Sequence, residues 1–349
     1  MNKFINYIAA LALVFGLVSD AQAGNPDRQG EAGFSQLLLV PYAQSAGLSG
    51  MNTSFVGGLE SFGINPAGLT SVENMEISFQ QANYLSGTDI RLNAAGLVKK
   101  LKNGASFGFS LTSVDLGDIS RTTTFQPEGT GNTFSPSIFS LNIGYAKSWE
   151  EKISVGVNFK VASERVEDLS LSTFALDAGI QYKSGENDRF RFGVALRNIG
   201  APALFRGEGL IYVSTVDFEG GTFSQTTSQR PSRVELQSLL RIGTSYDVMN
   251  GVNKLRILGN FTSNAFSRDQ IGGGAEFIYK DVFSLRGGYQ YELDGSDSEP
   301  PIYSGISAGA TFKIKVGKKE DSPVLDLSYG YRTTNKFNGT HNVGVALNL

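Results

Sequence analysis

Few side chains of this 349-residue chain could carry bond-making chemistry, and their types exclude most reactions. The chain has one histidine, His341, and no cysteine, so thiol catalysis, disulfides and thiolate metal sites are excluded. A cluster of metal-binding histidines is excluded too, and we predict no metal and no cofactor. A Ser-His-acid triad would need His341, which lies in the last strand-like run without a flanking motif. We therefore predict no catalytic residues and no enzyme activity.

Three other stretches could bind small ions or nucleic acid, and each has a simpler interpretation. Gly272-Gly273-Gly274 lies within a strand-like run, so we interpret it as a bend in a barrel wall and not as a phosphate loop. The acidic stretch 292–299 could bind calcium weakly, although a solvated loop explains it better. Lys99, Lys100 and Lys102 have no interleaved aromatic residues, so we predict no nucleic-acid partner.

The stretch from Ser61 to Thr70 has the composition of a tight, buried turn. Pro66 fixes its own φ and favours an extended conformation at the preceding Asn65. Gly68 permits a close approach of neighbouring atoms, while the surrounding apolar side chains give the segment something to bury. We predict either a folded plug inside a closed barrel or an ordinary loop before the first strand. The predicted plug residues are Asn65, Pro66, Ala67, Gly68 and Leu69.

The first residues of the chain match a secretory signal peptide. Lys3 supplies the positive charge, residues 8–18 form the apolar region, and Ala21-Gln22-Ala23 fits the cleavage rule. We expect a mature chain that begins at Gly24. No later apolar run approaches the roughly 18 residues that a spanning helix requires, so any membrane passage must use strands. The predicted domains are a signal peptide at 1–23, an N-terminal extension and hatch at 24–74, and a barrel at 75–349.

From Met75 onward, apolar and polar residues alternate with period two, which predicts β-strands. In the clearest run, Ile153, Val155 and Val157 alternate with small or polar residues. The predicted strands are Met75–Tyr84, Ile90–Lys99, Ala105–Leu116, Ser137–Trp149, Ile153–Glu164, Ser172–Lys183, Phe190–Asn198, Arg233–Tyr246, Lys254–Thr262, Gln270–Lys280, Val282–Glu292, Ser304–Val316, Pro323–Arg332 and Thr340–Leu349.

Strand length and link length favour a membrane barrel over a soluble sandwich. The runs are about ten residues long, which suits a tilted strand that crosses a bilayer. Their number is even, and the long links at 117–136, 199–232 and 293–303 all fall at one end of an up-and-down barrel. The fold class that we predict is all-β, a transmembrane antiparallel barrel of about fourteen strands. We expect both termini at the short-link end, in the periplasm, and a location in the bacterial outer membrane in contact with its lipid.

The order of these features resembles the FadL-like outer-membrane barrels, in which an N-terminal hatch containing an Asn-Pro-Ala turn plugs the lumen. Within that superfamily the hatch is similar to the PorV/PorQ family of the Bacteroidota. The residues that carry the likeness are 39–50, with the sequence Leu-Val-Pro-Tyr-Ala-Gln-Ser-Ala-Gly-Leu-Ser-Gly, and Asn65 to Leu69. The chain departs from the family where Gln44-Ser45-Ala46 and Leu48-Ser49-Gly50 replace Ser-Ala-Arg and Leu-Gly-Gly.

The resemblance implies a function in type IX protein secretion, in which the barrel accepts cargo by its C-terminal domain and passes it to an attachment machine. The expected partners are therefore type IX secretion components or cargo C-terminal domains. The alternative is a FadL-like channel that takes up hydrophobic small molecules. The link 199–232 is the candidate partner-binding loop, since aromatic anchors occur there among Gly, Ser and Thr. Its candidate residues are Phe205, Tyr212, Phe218 and Phe223.

Overall fold

Fourteen antiparallel strands form a closed barrel in the computed structural model, which describes residues 24–249, 251–293, 300–319 and 322–349. The predicted signal peptide at 1–23 lies outside the described residues. Each strand pairs with its neighbours in sequence, and the last strand pairs with the first, as in Gln80 opposite Gly344. The barrel strands are β1 Met75–Tyr84, β2 Ile90–Lys100, β3 Ala105–Asp115, β4 Ser137–Trp149, β5 Ile153–Val166, β6 Leu169–Ser184, β7 Phe190–Gly200, β8 Leu239–Met249, β9 Asn253–Asn264, β10 Gln270–Tyr279, β11 Phe283–Glu292, β12 Tyr303–Lys315, β13 Val324–Thr334 and β14 Thr340–Asn348.

The alternation along these strands is inverted with respect to a soluble sheet, because the apolar side chains face outward. On β5, Val157 is 50% exposed whereas its neighbour Asn158 is fully buried. On β3, Phe109 is exposed whereas Ser110 is buried. A barrel with an apolar outer face and a polar inner face is a membrane-spanning barrel. The fold class predicted from the sequence is therefore confirmed.

Aromatic side chains ring the outer face near both ends of the barrel. Trp149, Tyr182 and Tyr279 are exposed at the short-link end, and Tyr289 and Tyr291 are exposed toward the long-link end. Amphipathic rings at these two levels are typical of the boundaries between lipid and water. The outer face thus has the girdles and the apolar band that a bilayer requires.

Short elements lie at the barrel ends and inside the lumen. Among the described residues, no helix is both long and apolar enough to cross a membrane. The α-helices are α1 Ala43–Ala46 and α2 Ser61–Ile64, and the 3-10 helices are Pro26–Arg28, Ser35–Leu38, Gly58–Glu60, Pro66–Ser71, Glu186–Asp188 and Glu208–Leu210. The short strands outside the barrel are Ala32–Gly33, Ile119–Ser120, Thr133–Phe134, Ile211–Phe218, Gly221–Ser228 and Glu235–Leu236.

The region before β8 differs from the sequence prediction. The eighth barrel strand begins at Leu239 and not at Arg233, because Glu235–Leu236 pairs in parallel with Ala32–Gly33 near the N-terminus. Within the link 199–232, Ile211–Phe218 and Gly221–Ser228 form a β-hairpin. The many β-branched residues of this hairpin favour strands, although its composition resembles a loop.

The two ends of the described chain lie at opposite ends of the barrel. Leu349 exchanges backbone hydrogen bonds with Met75 at the short-link end. The backbone N–H of Gly24 donates to Asp269 Oδ2 at 2.8 Å, and Asp269 belongs to the link between β9 and β10 at the long-link end. The expectation that both termini lie at the short-link end is therefore wrong for a chain that begins at Gly24. Residues 24–74 run through the whole lumen before β1 begins.

Candidate functional site: the segment inside the barrel

The lumen is filled by residues 34–72, which we call the hatch. Leu59, Ile64 and Leu69 of this segment have no exposed surface, and Phe62 retains 2%. These side chains form an apolar core with Val98 of β2 and other buried residues. Burial of this kind stabilises the structure by about 1.5–3 kcal/mol for each large side chain, so the hydrophobic effect holds the hatch inside an otherwise polar wall.

Glycines on the inner face of the barrel make room for the hatch. A Cβ atom at Gly156 would lie 2.4 Å from the backbone carbon of Pro66, and one at Gly272 would lie 2.4 Å from Met51 Sδ. Such distances are shorter than van der Waals contact, so a side chain at these positions would displace the hatch. We call these residues the glycine ring: Gly96, Gly108, Gly144, Gly156, Gly179, Gly193, Gly243, Gly272, Gly274, Gly288, Gly309 and Gly330, which come from every strand from β2 to β8 and from β10 to β13.

Asn65 fastens the hatch to the wall and to its own turn. Its Nδ2 donates to Thr53 O at 3.0 Å, to Ile180 O of β6 at 3.0 Å and to Val194 O of β7 at 3.3 Å. Its Oδ1 accepts from the N–H of Ala67 at 3.1 Å, which caps the 3-10 helix that Pro66 begins. The five predicted plug residues, 65–69, are all buried and lie together against β4 to β7.

Inward polar side chains of the wall bind the backbone of the hatch. Gln181 Nε2 donates to Thr53 O at 3.2 Å and to Val56 O at 3.0 Å, and Arg241 Nη1 donates to Gly63 O at 3.3 Å. Sequence reasoning missed these residues, although their inward position in the period-two pattern was a usable signal. Two further contacts join Asn342 Nδ2 to Val40 O at 3.0 Å and Ala43 N to Gln80 Oε1 at 3.1 Å.

Glu60 is a buried carboxylic acid that organises the middle of the hatch. It accepts hydrogen bonds from the backbone N–H groups of Gln44, at 3.0 Å, and Ser45, at 2.8 Å, and from Ser45 Oγ at 2.5 Å. Burial raises the pKa of Glu60 above its usual range, whereas the hydrogen bonds and the charge of Arg286 oppose that rise. Protonation of Glu60 is therefore coupled to the fold of the hatch.

Two groups of charged side chains lie on the inner wall. In the half of the barrel nearer the long-link end, Lys160 Nζ lies 2.9 Å from Asp177 Oδ2, and Asp177 also accepts from the N–H of Asn198 at 2.7 Å. The β7 ladder shifts register between Leu196 and Ile199, which turns both Arg197 and Asn198 inward. At the short-link end, a second group joins Arg256 with Asp247 at 2.7 Å, Arg256 with Glu276 at 3.3 Å and Arg286 with Glu276 at 3.1 Å, and Arg256 lies 4.4 Å from the ring centroid of Phe55.

A small cavity lies in the outer half of the barrel, between the first part of the hatch and strands β2 to β5. Its volume is about 40 Å³, which holds a few water molecules. Apolar side chains such as Leu39, Phe62 and Leu92 line one part, and Lys160 and Arg197 line another. The cavity is much smaller than the roughly 300–1,000 Å³ typical of ligand pockets, so the hatch is closed in this conformation.

The candidate partner-binding residues lie at the long-link end, away from the hatch. Phe205, Tyr212 and Phe223 are exposed, and the side chain of Phe218 lies outside the described part of the chain. Tyr212 and Phe223 lie on the same face of the hairpin, because Val216 pairs with Phe223 and is four residues from Tyr212. That spacing separates the two rings by about 13 Å along the strand, so the structure does not bring them into one cluster.

His341 lies on β14, where its Nδ1 is 2.7 Å from Tyr329 Oη and its ring is 4.9 Å from that of Tyr331. In the part of the chain that the structure describes, no group of three or more His, Cys, Asp or Glu residues is arranged to hold a metal ion. The residues that converge inside the barrel are polar and charged side chains of the wall, glycines and apolar side chains of the hatch. They are suited to holding a segment in place.

The barrel and its filled lumen define the class of the protein, which is a multi-pass β-barrel of the outer membrane with a FadL-like fold. No protein-family model matches the chain, and no curated protein does. Its fold is similar to that of the toluene transporter TodX of Pseudomonas putida, with a TM-score of 0.54 and 12% identity over 88% of this chain and 97% of that chain. The toluene transporter TbuX of Ralstonia pickettii gives a TM-score of 0.52 and 12% identity over 90% of this chain and 99% of that one. A FadL homologue of Pseudomonas aeruginosa gives a TM-score of 0.50 and 12% identity over 87% of this chain and 96% of that chain.

At these identities the likeness shows the fold alone. It confirms the FadL-like barrel that the sequence predicts and does not show membership of the PorV/PorQ family. Two of these three structures are described as toluene transporters, and the third is described as a FadL homologue.

Proposed function

We propose that the protein is an outer-membrane channel for small hydrophobic molecules and that the structure is its closed state. The observation that carries the proposal is a barrel closed by its own N-terminal segment, on a fold similar over nearly its full length to toluene transporters. The hatch is held by hydrogen bonds and apolar packing without covalent links, so it can move without bond breakage.

Passage of a substrate requires the hatch to rearrange. The existing cavity of about 40 Å³ is smaller than any hydrocarbon pocket would have to be. On the side of the hatch, this cavity is lined by the first part of the segment, including Leu37 and Leu39. Leu37 O accepts one long hydrogen bond from the wall, from Arg197 Nη2 at 3.4 Å, whereas Ser35 and Val40 on either side accept shorter ones, at 3.2 and 3.0 Å. We assign the first movement to residues 37–39.

The prediction of handover in type IX secretion remains the second candidate. Its support is the likeness of residues 39–50 and 65–69 to the PorV/PorQ hatch. The exposed aromatic residues of the hairpin would be the contact surface for a cargo C-terminal domain. The likeness of the whole barrel to toluene transporters, over 88–90% of this chain, favours transport.

The experiment compares uptake with cargo display in cells that lack the protein. The intact chain and a variant with 211–228 replaced by a short Gly-Ser linker are supplied separately. Loop length costs little stability, so both should fold. We expect both chains to raise uptake of radiolabelled toluene or hexadecanoate above the empty-vector level. If neither substrate enters faster and the hairpin variant loses surface display of cargo, the channel proposal is wrong and handover is favoured.

A further inference from the structure

The link between β9 and β10 carries a buried carboxylate that faces the predicted start of the mature chain. Asp269 is 5% exposed, and its Oδ1 accepts from the N–H of Asn264 at 3.0 Å. Its Oδ2 accepts from the nitrogen of Gly24 at 2.8 Å. Gly24 is the residue that follows the cleavage motif Ala21-Gln22-Ala23. The atom that cleavage would turn into an ammonium group is thus the one that contacts the carboxylate.

The geometry points to a binding site for the α-ammonium group of the processed chain, and we propose that removal of the signal peptide creates an ion pair between Gly24 and Asp269. A signal peptidase hydrolyses the bond between Ala23 and Gly24, and one water molecule is consumed. The oxygen of this water becomes part of the new carboxylate of Ala23, and its two protons go to the Gly24 nitrogen, which becomes an ammonium group. A hydrogen bond from a neutral amide to the carboxylate is thereby replaced by an ion pair, in which the donor as well as the acceptor is charged.

The surroundings of Gly24 fit a terminal glycine and no larger residue. A Cβ atom at this position would lie 2.6 Å from Asp269 Oδ1 and 2.8 Å from Ser267 O. The second of these is a backbone atom, so the clash cannot be relieved by a side-chain rotation. The site therefore selects the residue type as well as the position of the mature N-terminus.

The residues after Gly24 are fixed to the same end of the barrel. Arg28 Nη2 lies 3.3 Å from Glu235 Oε2, and the Arg28 guanidinium lies 4.2 Å from the centroid of Phe266, next to the ammonium site. Ala32–Gly33 then pairs with Glu235–Leu236. These contacts connect the terminus to the hatch, which begins at Phe34. The ion pair would hold the segment that leads into the hatch at the long-link end of the barrel, whether or not the barrel transports hydrophobic molecules.

The test measures the start of the chain and then the reactivity of its α-amine. Intact mass and N-terminal sequencing of protein from outer membranes should give Gly24 as the first residue. An amine acylating reagent is then applied to the native protein, and the labelled peptide 24–28 is quantified by mass spectrometry after trypsin digestion. Because acylation needs a free amine, the ion pair should slow it. We expect Asp269→Asn to raise the rate about tenfold or more.

Three further variants keep the test decisive. Asp27→Asn removes an exposed acid from the same segment and should leave the rate unchanged. Insertion of one serine before Gly24 moves the ammonium group by about 3.5 Å and should raise the acylation rate as Asp269→Asn does. The insertion leaves Asp269 in place, so it tests the ion pair independently of whether the Asp269→Asn variant folds. Gly24→Ala should raise it as well. A mature chain that begins at another residue, or an α-amine that reacts equally fast with and without Asp269, would overturn the proposal.

Discussion

Replacement of Asn65 by alanine should release the hatch from the wall while the barrel remains folded. The Nδ2 group has two hydrogens shared among Thr53 O, Ile180 O and Val194 O, and Oδ1 accepts one further bond from Ala67. We therefore count three lost hydrogen bonds at about 1 kcal/mol each. Some of these bonds join the hatch to the wall and others lie within it, so the loss of about 3 kcal/mol falls on the free energy that keeps the turn both folded and docked. It corresponds to about a 100-fold increase in the open population.

Hydrogen exchange of the detergent-solubilised protein measures this population directly. In the Asn65→Ala variant, amides of 61–72 should exchange about 100-fold faster, while amides of the barrel strands keep their wild-type rates. Asn342→Ala is the matched control, because Asn342 is equally buried and donates one bond to the hatch, at Val40 O. Loss of one bond should accelerate exchange only about fivefold. Equal effects of the two variants, or an equal acceleration in the barrel strands, would refute the reasoning.

Three other predictions follow from the hatch and the ends of the chain. Gly156→Ala should increase single-channel conductance in planar bilayers, because its Cβ would lie 2.4 Å from the Pro66 backbone and displace the hatch. Gly287→Ala is the control and should leave the conductance unchanged, because the nearest atom to its Cβ is 3.5 Å away. Equal conductance of the two variants would argue against the role of the glycine ring. In this cysteine-free chain, Asp27→Cys should react with an impermeant maleimide on whole cells and Lys102→Cys should not, if the long-link end faces outward; labelling of Lys102→Cys alone would reverse the orientation. Because burial raises the pKa of Glu60, the protonated side chain stabilises the docked hatch at acidic pH, and this stabilisation is lost as pH rises through the raised pKa. Glu60→Gln should remove this pH dependence from the hydrogen exchange of the hatch. An unchanged pH profile would count against the role of Glu60.

The barrel could be predicted because lipid and a polar lumen impose opposite demands on alternate residues. Each of the predicted runs overlaps one barrel strand, and the long links lie at one end. Pro66 and its neighbouring glycines indicated a buried turn because few other conformations suit them. Gly272-Gly273-Gly274 was misinterpreted in part: the ladders to β9 and β11 continue through it without a register shift, and Gly272 and Gly274 make room for the hatch.

The features that could not be predicted depend on contacts between residues distant in sequence. The pairing of Ala32–Gly33 with Glu235–Leu236 covers two residues on each side and leaves no periodic signal. This pairing shortens β8, and Gly24 lies at the long-link end of the barrel and not at the predicted short-link end. The partners of Asn65 on β6 and β7 are likewise backbone carbonyls, whose availability no side-chain pattern reveals.

The claim that the hatch must move for transport can be tested with a reversible disulfide. Ser54 Oγ of the hatch and Ser245 Oγ of β8 are 3.1 Å apart, so cysteines at both positions can reach bonding distance after a small adjustment. Thr70 Oγ1 and Ser154 Oγ, 2.9 Å apart, offer a control at the base of the hatch, next to β1. We predict that oxidation of the Ser54→Cys/Ser245→Cys variant reduces toluene uptake to the level of cells without the protein, that a reductant restores it, and that the control pair has little effect. Full uptake with the Ser54–Ser245 crosslink formed would show that movement of the first part of the hatch is sufficient, and it would contradict release of the whole hatch.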